Sequence, residues 1–373
     1  MKKFIAGMLT IALILSLFSV PAMALGGAEQ IEDNGFVCER MRDGSLKLVQ
    51  YTADAEGKTV NIPSTINGSH IEQIGAYAFD GCRMKSVTIP DTVKMIETFA
   101  FNNCTEIQKI TIPNDVIFIQ GNPFTGCTKL VNISLDPKHP TLQVTSDGVL
   151  YSRKNRMLIC YPCSKTERTF SVMKGTLTID EYAFSGCGHL ESISLPATVT
   201  EICEGSFLGC TKLINITLPE SLLSVGELAF AGCISLNGIS IPKNIRRIEA
   251  STFFNCQSLK NVSFPELLTT IGERAFFGCR DLQEIHLPKN TTTIGDNAFY
   301  GCSSLTDAYI PVSVTHIGEE AFDNCSVRLY MHLEEYAFAE IYAKLYDISF
   351  TYGNEDSFLT DDDTEDSYPT DDY

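Results

Sequence analysis

Apolar and polar positions recur along most of this chain at one fixed interval. Ala183 to Pro196 reads Ala-Phe-Ser-Gly-Cys-Gly-His-Leu-Glu-Ser-Ile-Ser-Leu-Pro, and near copies follow it. Cysteines stand at 187, 210, 233, 256, 279, 302 and 325, each 23 residues after the last, and a proline lies nine positions beyond each of the first six. Within a copy Leu190, Ile193 and Leu195 point one way and Ser192 and Ser194 the other, which predicts a short strand with its apolar face inward. The proline ends the strand where a ladder N–H is no longer needed. A period in the twenties predicts a solenoid: one turn is too small to fold alone, and stacking buries a shared core. The return path carries Ile-Gly, as at Ile271-Gly272 and Ile294-Gly295, then Ala-Phe. The glycine is expected to supply the positive φ of a sharp corner. The alanine fits a tight helical turn, and the Phe series from Phe184 to Phe322 is expected to stack as a buried spine.

Taken in order, the chain divides as follows. Residues 1–24 read as a secretory signal: Lys2 and Lys3, an apolar run from Phe4 to Val20, then Ala22-Met23-Ala24 as a cleavage box. The competing reading is an uncleaved anchor. Residues 25–75 form an N-terminal cap and first turn, with Phe36–Met41 and Ser45–Tyr51 as a β-hairpin around Arg42-Asp43-Gly44. Such a cap covers the core and the strand edge that a first turn leaves open. A first repeat block spans 76–135. From 136 to 181 the period breaks, and two strand-like runs, Ser146–Tyr151 and Met157–Pro162, predict an inserted β-hairpin beside a degenerate repeat. Insertions of this kind commonly lie on one face and carry binding. A second block covers 182–331. A C-terminal cap covers 332–353, where Leu333 to Tyr346 predicts an amphipathic helix with Ala337, Ile341 and Leu345 on its apolar face. Residues 354–373 form an acidic tail without a single Lys or Arg, expected to be disordered. The fold class is thus an α/β solenoid, a repeat array of about 23-residue turns with a parallel β-sheet, an N-terminal hairpin cap, an inserted hairpin and a helical C-terminal cap.

The unit Ile-Gly-x-x-Ala-Phe-x-x-Cys-x-x-Leu-x-x-Ile-x-Ile-Pro, matched nearly letter for letter at Ile271 to Pro288 and Ile294 to Pro311, resembles the BspA-like leucine-rich repeats. The resemblance covers most of the chain after the signal, including the Asp-Gly-Val-Leu-Tyr hairpin. It implies a secreted or surface protein, with an adhesin-like role toward host matrix or other cells. The wall-sorting signal that some relatives carry is not seen.

Composition narrows the partners. Net charge is −18, and loss of Lys2 and Lys3 would lower it by two more. Such a field repels nucleic acid and anionic lipid, whose binding rests on basic side chains neutralising phosphate. No second long apolar stretch follows the signal, so no membrane span is expected after cleavage, and a monomer is expected.

Fourteen cysteines in a secreted chain would ordinarily suggest a disulfide framework. Ten share one repeat position, however, and in-register stacking sets their Cβ atoms about 4.8 Å apart, beyond the roughly 3.5–4.5 Å of a disulfide. A ladder of buried, reduced thiols acting as small apolar groups is expected. Cys38, Cys160, Cys163 and Cys203 are off register, and Cys160 and Cys163 form either a local disulfide or idle thiols. The histidines at 70, 139, 189, 286, 316 and 332 are scattered, and nucleophile-elbow, phosphate-loop, dinucleotide and zinc-protease motifs are missing. Glu284 and Asp307 can meet across turns, with solvated surface as the default reading. No catalytic residue, cofactor or metal site is expected.

What remains is recognition. Ser192, Ser194, Asn215, Thr217, Ser240, Asn261, Ser263, His286 and Tyr309 project outward from successive strands, and short hydroxyl and amide groups bond a ligand at little entropic cost. The expectation is a non-catalytic protein binding a host or neighbouring-cell protein or glycan through this face or the inserted hairpin. The alternatives are a secreted hydrolase with an undetected site and an inert spacer or surface-layer component.

Overall fold

A computed structural model describes residues 29–332 and 338–353. The expected signal with residues 25–28, the acidic tail 354–373, and residues 333–337 with Ala337 lie outside the described residues. The chain forms a parallel β-solenoid of about 13 turns of roughly 23 residues.

Each regular turn contributes two strands rather than the single one expected. Ser192–Ser194 pairs in parallel with Thr169–Ser171 before it and Asn215–Thr217 after it. After Pro196 a two-residue strand, Glu201–Ile202, pairs with Thr178–Ile179 and Ser224–Val225 to build a second ladder. Two residues are too few to show alternation, so this ladder showed only as the recurrent isoleucine of Ile-Gly and not as a strand. Nor is the first ladder one continuous sheet. Among the described residues, pairing is interrupted between Thr217 and Gly238 and again between Ser263 and Glu284.

The third side of each turn is a run of tight turns rather than the helical turn expected, because left-handed residues such as Tyr182 and Gly186 interrupt it, and it carries the core. Rings from Phe184 to Phe322 stack at centroid spacings of 5.1–5.5 Å, each buried. Burial of one such ring contributes about 1.5–3 kcal/mol. All fourteen cysteines are free thiols. The ladder thiols do more than fill space: Cys210, Cys233 and Cys256 donate to the carbonyls of Phe184, Phe207 and Phe230, one turn back, at 3.1–3.2 Å. Burial raises these thiols above their ordinary range and keeps them protonated.

The Ile-Gly glycines are explained differently from expectation. Neither Gly272 nor Gly295 adopts positive φ. A Cβ on Gly295 would lie 2.7 Å from the Glu273 nitrogen of the preceding turn, so the requirement is close approach of two backbones. The left-handed residue comes two positions later, at Arg274, Asn297 and Glu320.

The N-terminal cap is a three-stranded antiparallel sheet, Gln30–Asp33, Phe36–Arg40 and Leu46–Tyr51, which runs into the second ladder through Ser69–Ile74. At the other end the helix Phe338–Leu345 buries Ala339, Tyr342 and Ala343, while Ile341 and Leu345 are exposed. The expected four-residue spacing thus picked the wrong face; the buried set follows i, i+3, i+4, the helical repeat. An unforeseen strand, Ser349–Gly353, then pairs with Arg328–His332.

The inserted hairpin, Leu150–Ser152 with Met157–Cys160, also carries a third strand, Leu142–Val144. It is a partition between two cores. Leu150, Ile159 and Cys160 belong to the N-terminal cluster, whereas Tyr151, Leu158 and Tyr161 belong to the C-terminal one. Tyr161 stacks on Phe184 at 5.4 Å, taking the spine position for this turn.

Candidate functional site

Alternation along the first ladder turns Ile193, Ile216 and Ile239 inward and leaves Ser192, Ser194, Asn215, Thr217, Ser240, Asn261, Ser263 and His286 exposed, with Tyr309 half-buried. All nine expected residues therefore share one side of the solenoid. The interruptions in the ladder, however, divide them into unlike segments.

In the first segment Ser192, Ser194, Asn215 and Thr217 line a shallow groove of about 520 Å³, floored by Ile193 and Ile216 and bounded by Ala197 and Pro219. A second groove of about 320 Å³ lies beside the N-terminal ends of these strands and the two that follow, between Glu191, Lys212, Ile214, Ser235, Asn237 and Ser258. These last six were not among the expected residues. They come from the positions just before each strand, where the repeat pattern leaves residue type free. Gly238 carries no side chain in the column of Asn215, which leaves the space beside that amide open.

Hydrogen bonding separates this segment from the equivalent face nearer the N-terminus. There, strand-face hydroxyls are spent on each other: Thr59 with Ser86 at 2.7 Å and Thr111 with Ser134 at 3.0 Å. Around the larger groove such hydroxyl pairs give way to Ser192, Ser194, Asn215 and Thr217, whose side chains lie exposed along the groove walls. Exposed donors and acceptors of this kind exchange water for a ligand without first breaking an internal bond.

Ser240, Asn261 and Ser263 occupy the short middle segment, Gly238–Ser240 with Asn261–Ser263. The last segment is aromatic and charged. His286 stacks on Tyr309 at 4.1 Å, and Tyr309 on Tyr330 at 4.7 Å. Glu284 and Asp307 are register partners, as the sequence allowed. Each is engaged locally, Glu284 3.7 Å from the His286 Nε2 and Asp307 accepting from the Thr306 hydroxyl at 2.6 Å. Burial pushes the Tyr309 phenol up, with Tyr330, Asp307 and Glu284 adding to it. Tyr330 was missed because the spacing shortens in the final turn.

The strands of the inserted hairpin are interior. Leu150, Tyr151, Leu158, Ile159 and Cys160 are almost wholly buried, because each strand has a core on both sides. The turns at Ser146–Asp147 and Arg153–Arg156 are exposed. Cys160 is buried and Cys163 partly so, and burial raises both thiols.

The stacked strands, the Leu/Ile/Phe interior and the open polar face define a leucine-rich-repeat solenoid. The chain belongs to the BspA-type leucine-rich-repeat family, whose model matches six copies over residues 56–155, 177–276 and 224–354. Among solved structures, a leucine-rich-repeat protein of Eubacterium ventriosum is similar with a TM-score of 0.62 and 22% identity, covering 81% of this chain and 96% of that one. A leucine-rich cell-surface protein of Faecalibacterium prausnitzii is similar at 23% identity and a TM-score of 0.42, covering 84% and 97%. The pneumococcal vaccine antigen PcpA is similar at 17% identity and a TM-score of 0.44, covering 88% and 99%. No curated protein matches the chain significantly.

Proposed function

We propose that this is a secreted or cell-surface recognition protein, adhesin-like, that binds a polar protein segment or glycan along the first ladder. The observation that carries the reading is the pair of grooves flanking Ser192–Ser194 and Asn215–Thr217, with short polar side chains on their walls. Hydroxyl and carboxamide groups supply both donors and acceptors, which suits a ligand rich in hydroxyls or backbone amides. The floor is shallow and poor in the aromatic and Arg side chains that dominate tight interfaces, so a modest affinity, gained through repetition along the face, is expected.

The test is saturable binding of the purified protein to matrix proteins and to a glycan array, repeated with Asn215→Ala/Thr217→Ala. Both substitutions are on exposed strand positions and should leave the thermal midpoint within about 2 °C. Loss of at least tenfold in affinity supports the reading. Binding by the wild type that the double variant retains in full moves the site elsewhere on the molecule.

A further inference from the structure

The corners carry a second aromatic column outside the spine. It is formed by the residue following each spine Phe. Phe254 and Phe277 stack at 5.0 Å, and Phe277 and Tyr300 at 4.9 Å, with all three rings half-buried. Toward the N-terminus the column runs into a separate apolar cluster containing Leu208, Leu228, Ala231 and Tyr182, which Phe254 packs against. A ring here is not needed by the fold, since Ser185 and Ala231 occupy the same repeat position.

Alongside runs a column of carboxylates, one for most turns, four residues before the aromatic position. Tyr182 ties the two together, reaching Glu204 with its hydroxyl while its ring stays in the apolar cluster. Arg247 and Arg274 pair with Glu249 and Glu273 at 3.3 Å. Glu227, Asp296 and Glu319 are exposed and have no salt-bridge partner among the described residues. The carboxyl of Glu227 is raised, by burial first and then by Glu204, Glu249 and Glu273, so the column shares one field with Glu249, which stands one residue before Ala250, the column's position in that turn.

We propose that this side of the solenoid docks a cationic amphipathic helix, its apolar stripe on Phe254, Phe277 and Tyr300 and its bases on the neighbouring carboxylates. Charge complementarity selects a cation, and spacing selects a helix. The column repeats every 4.9–5.0 Å. An α-helix lying along it advances about 5.4 Å per turn and stays in step over three turns. An extended strand, at about 6.8 Å for every second residue, drifts by nearly 2 Å at each turn. The surface is on a different side from the grooves, so this inference stands apart from the recognition face proposed above.

The test uses the full chain and a fluorescent Leu/Lys peptide of about 18 residues, five helical turns, followed by anisotropy and circular dichroism. Saturable binding that induces helicity and weakens as salt is raised is expected. Phe254→Ala/Phe277→Ser, which places residues the repeat already tolerates in this column, should weaken it about tenfold. Glu227→Gln/Asp296→Asn should weaken it at low salt and converge with the wild type at high salt. Equal binding of a scrambled peptide of the same composition, undiminished binding by the folded aromatic variant, or no saturable binding would each overturn the proposal.

Discussion

At the scale of single residues, the repeat supplies its own controls. Glycines fall in two columns that sequence alone makes look alike. Gly295 is needed because the preceding turn's backbone is 2.7 Å from where a Cβ would lie. Gly301 is needed because φ is +72°, and a Cβ there would find its nearest neighbour 3.9 Å away. Asn103, Asn255 and Asn324 hold the second position in other turns with φ of 52–60°. Asparagine tolerates the left-handed region better than other side chains. Gly301→Asn should therefore change stability by no more than about 0.5 kcal/mol. Gly295→Ala should cost about 1–3 kcal/mol as an overpacking change. Urea unfolding of both variants checks this, and the reverse ranking would mean the two columns have been assigned the wrong constraint. The sequence showed that glycine mattered; which constraint it met depends on how closely neighbouring turns approach, and that distance has no local signature.

Between elements, the seam where the inserted hairpin rejoins the regular turns holds the unusual acid. Asp180 stands in the Ile-Gly column, follows the strand Thr178–Ile179 and is 6% exposed. Burial lifts its carboxyl to about 7, with Glu181 and Glu201 adding to the shift and backbone hydrogen bonds from Glu181 and Gly121 opposing it. The folded state therefore holds a proton that the unfolded chain releases near pH 4. Stability from this group is full below that point and is lost as pH rises toward 7, a change of about 2–4 kcal/mol. Asp180→Asn keeps the acceptor that meets the Glu181 N–H and removes the titration. Melting temperatures from pH 4 to 8 should fall less steeply for the variant, which should be the more stable protein above pH 7. Matching slopes would place the proton elsewhere. Strands with an alternating pattern and a terminal proline were legible beforehand, as were both caps. The second ladder and the breaks in the first were not, since both turn on pairing between chain segments rather than on pattern within one.

For the whole molecule, the inserted hairpin matters as a joint. A solenoid is stabilised by each turn and by its contact with the next, so cooperativity depends on the weakest junction. Here the hairpin's alternating side chains serve two cores, Ile159 on one side and Leu158 on the other, beside a smaller direct contact in which Phe99 packs on Tyr182 and the Asn122 amide donates to the Tyr182 carbonyl. The same alternation explains why the break in period gave no sign of a joint: uniformly apolar strands and an excess loop read alike until both sides are seen to be covered. Tyr161 adds a buried hydroxyl with no hydrogen-bond partner among the described residues, so Tyr161→Phe, which restores the spine residue, should stabilise by up to about 1 kcal/mol. Leu158→Ala/Ile159→Ala should do the opposite, at about 2–5 kcal/mol for each side chain. That loss falls on the contact between blocks more than on either block. Denaturant unfolding followed by far-ultraviolet circular dichroism should then separate into two transitions where the parent shows one. If the double variant instead unfolds in a single transition displaced to lower denaturant, the two cores are coupled by contacts other than the hairpin.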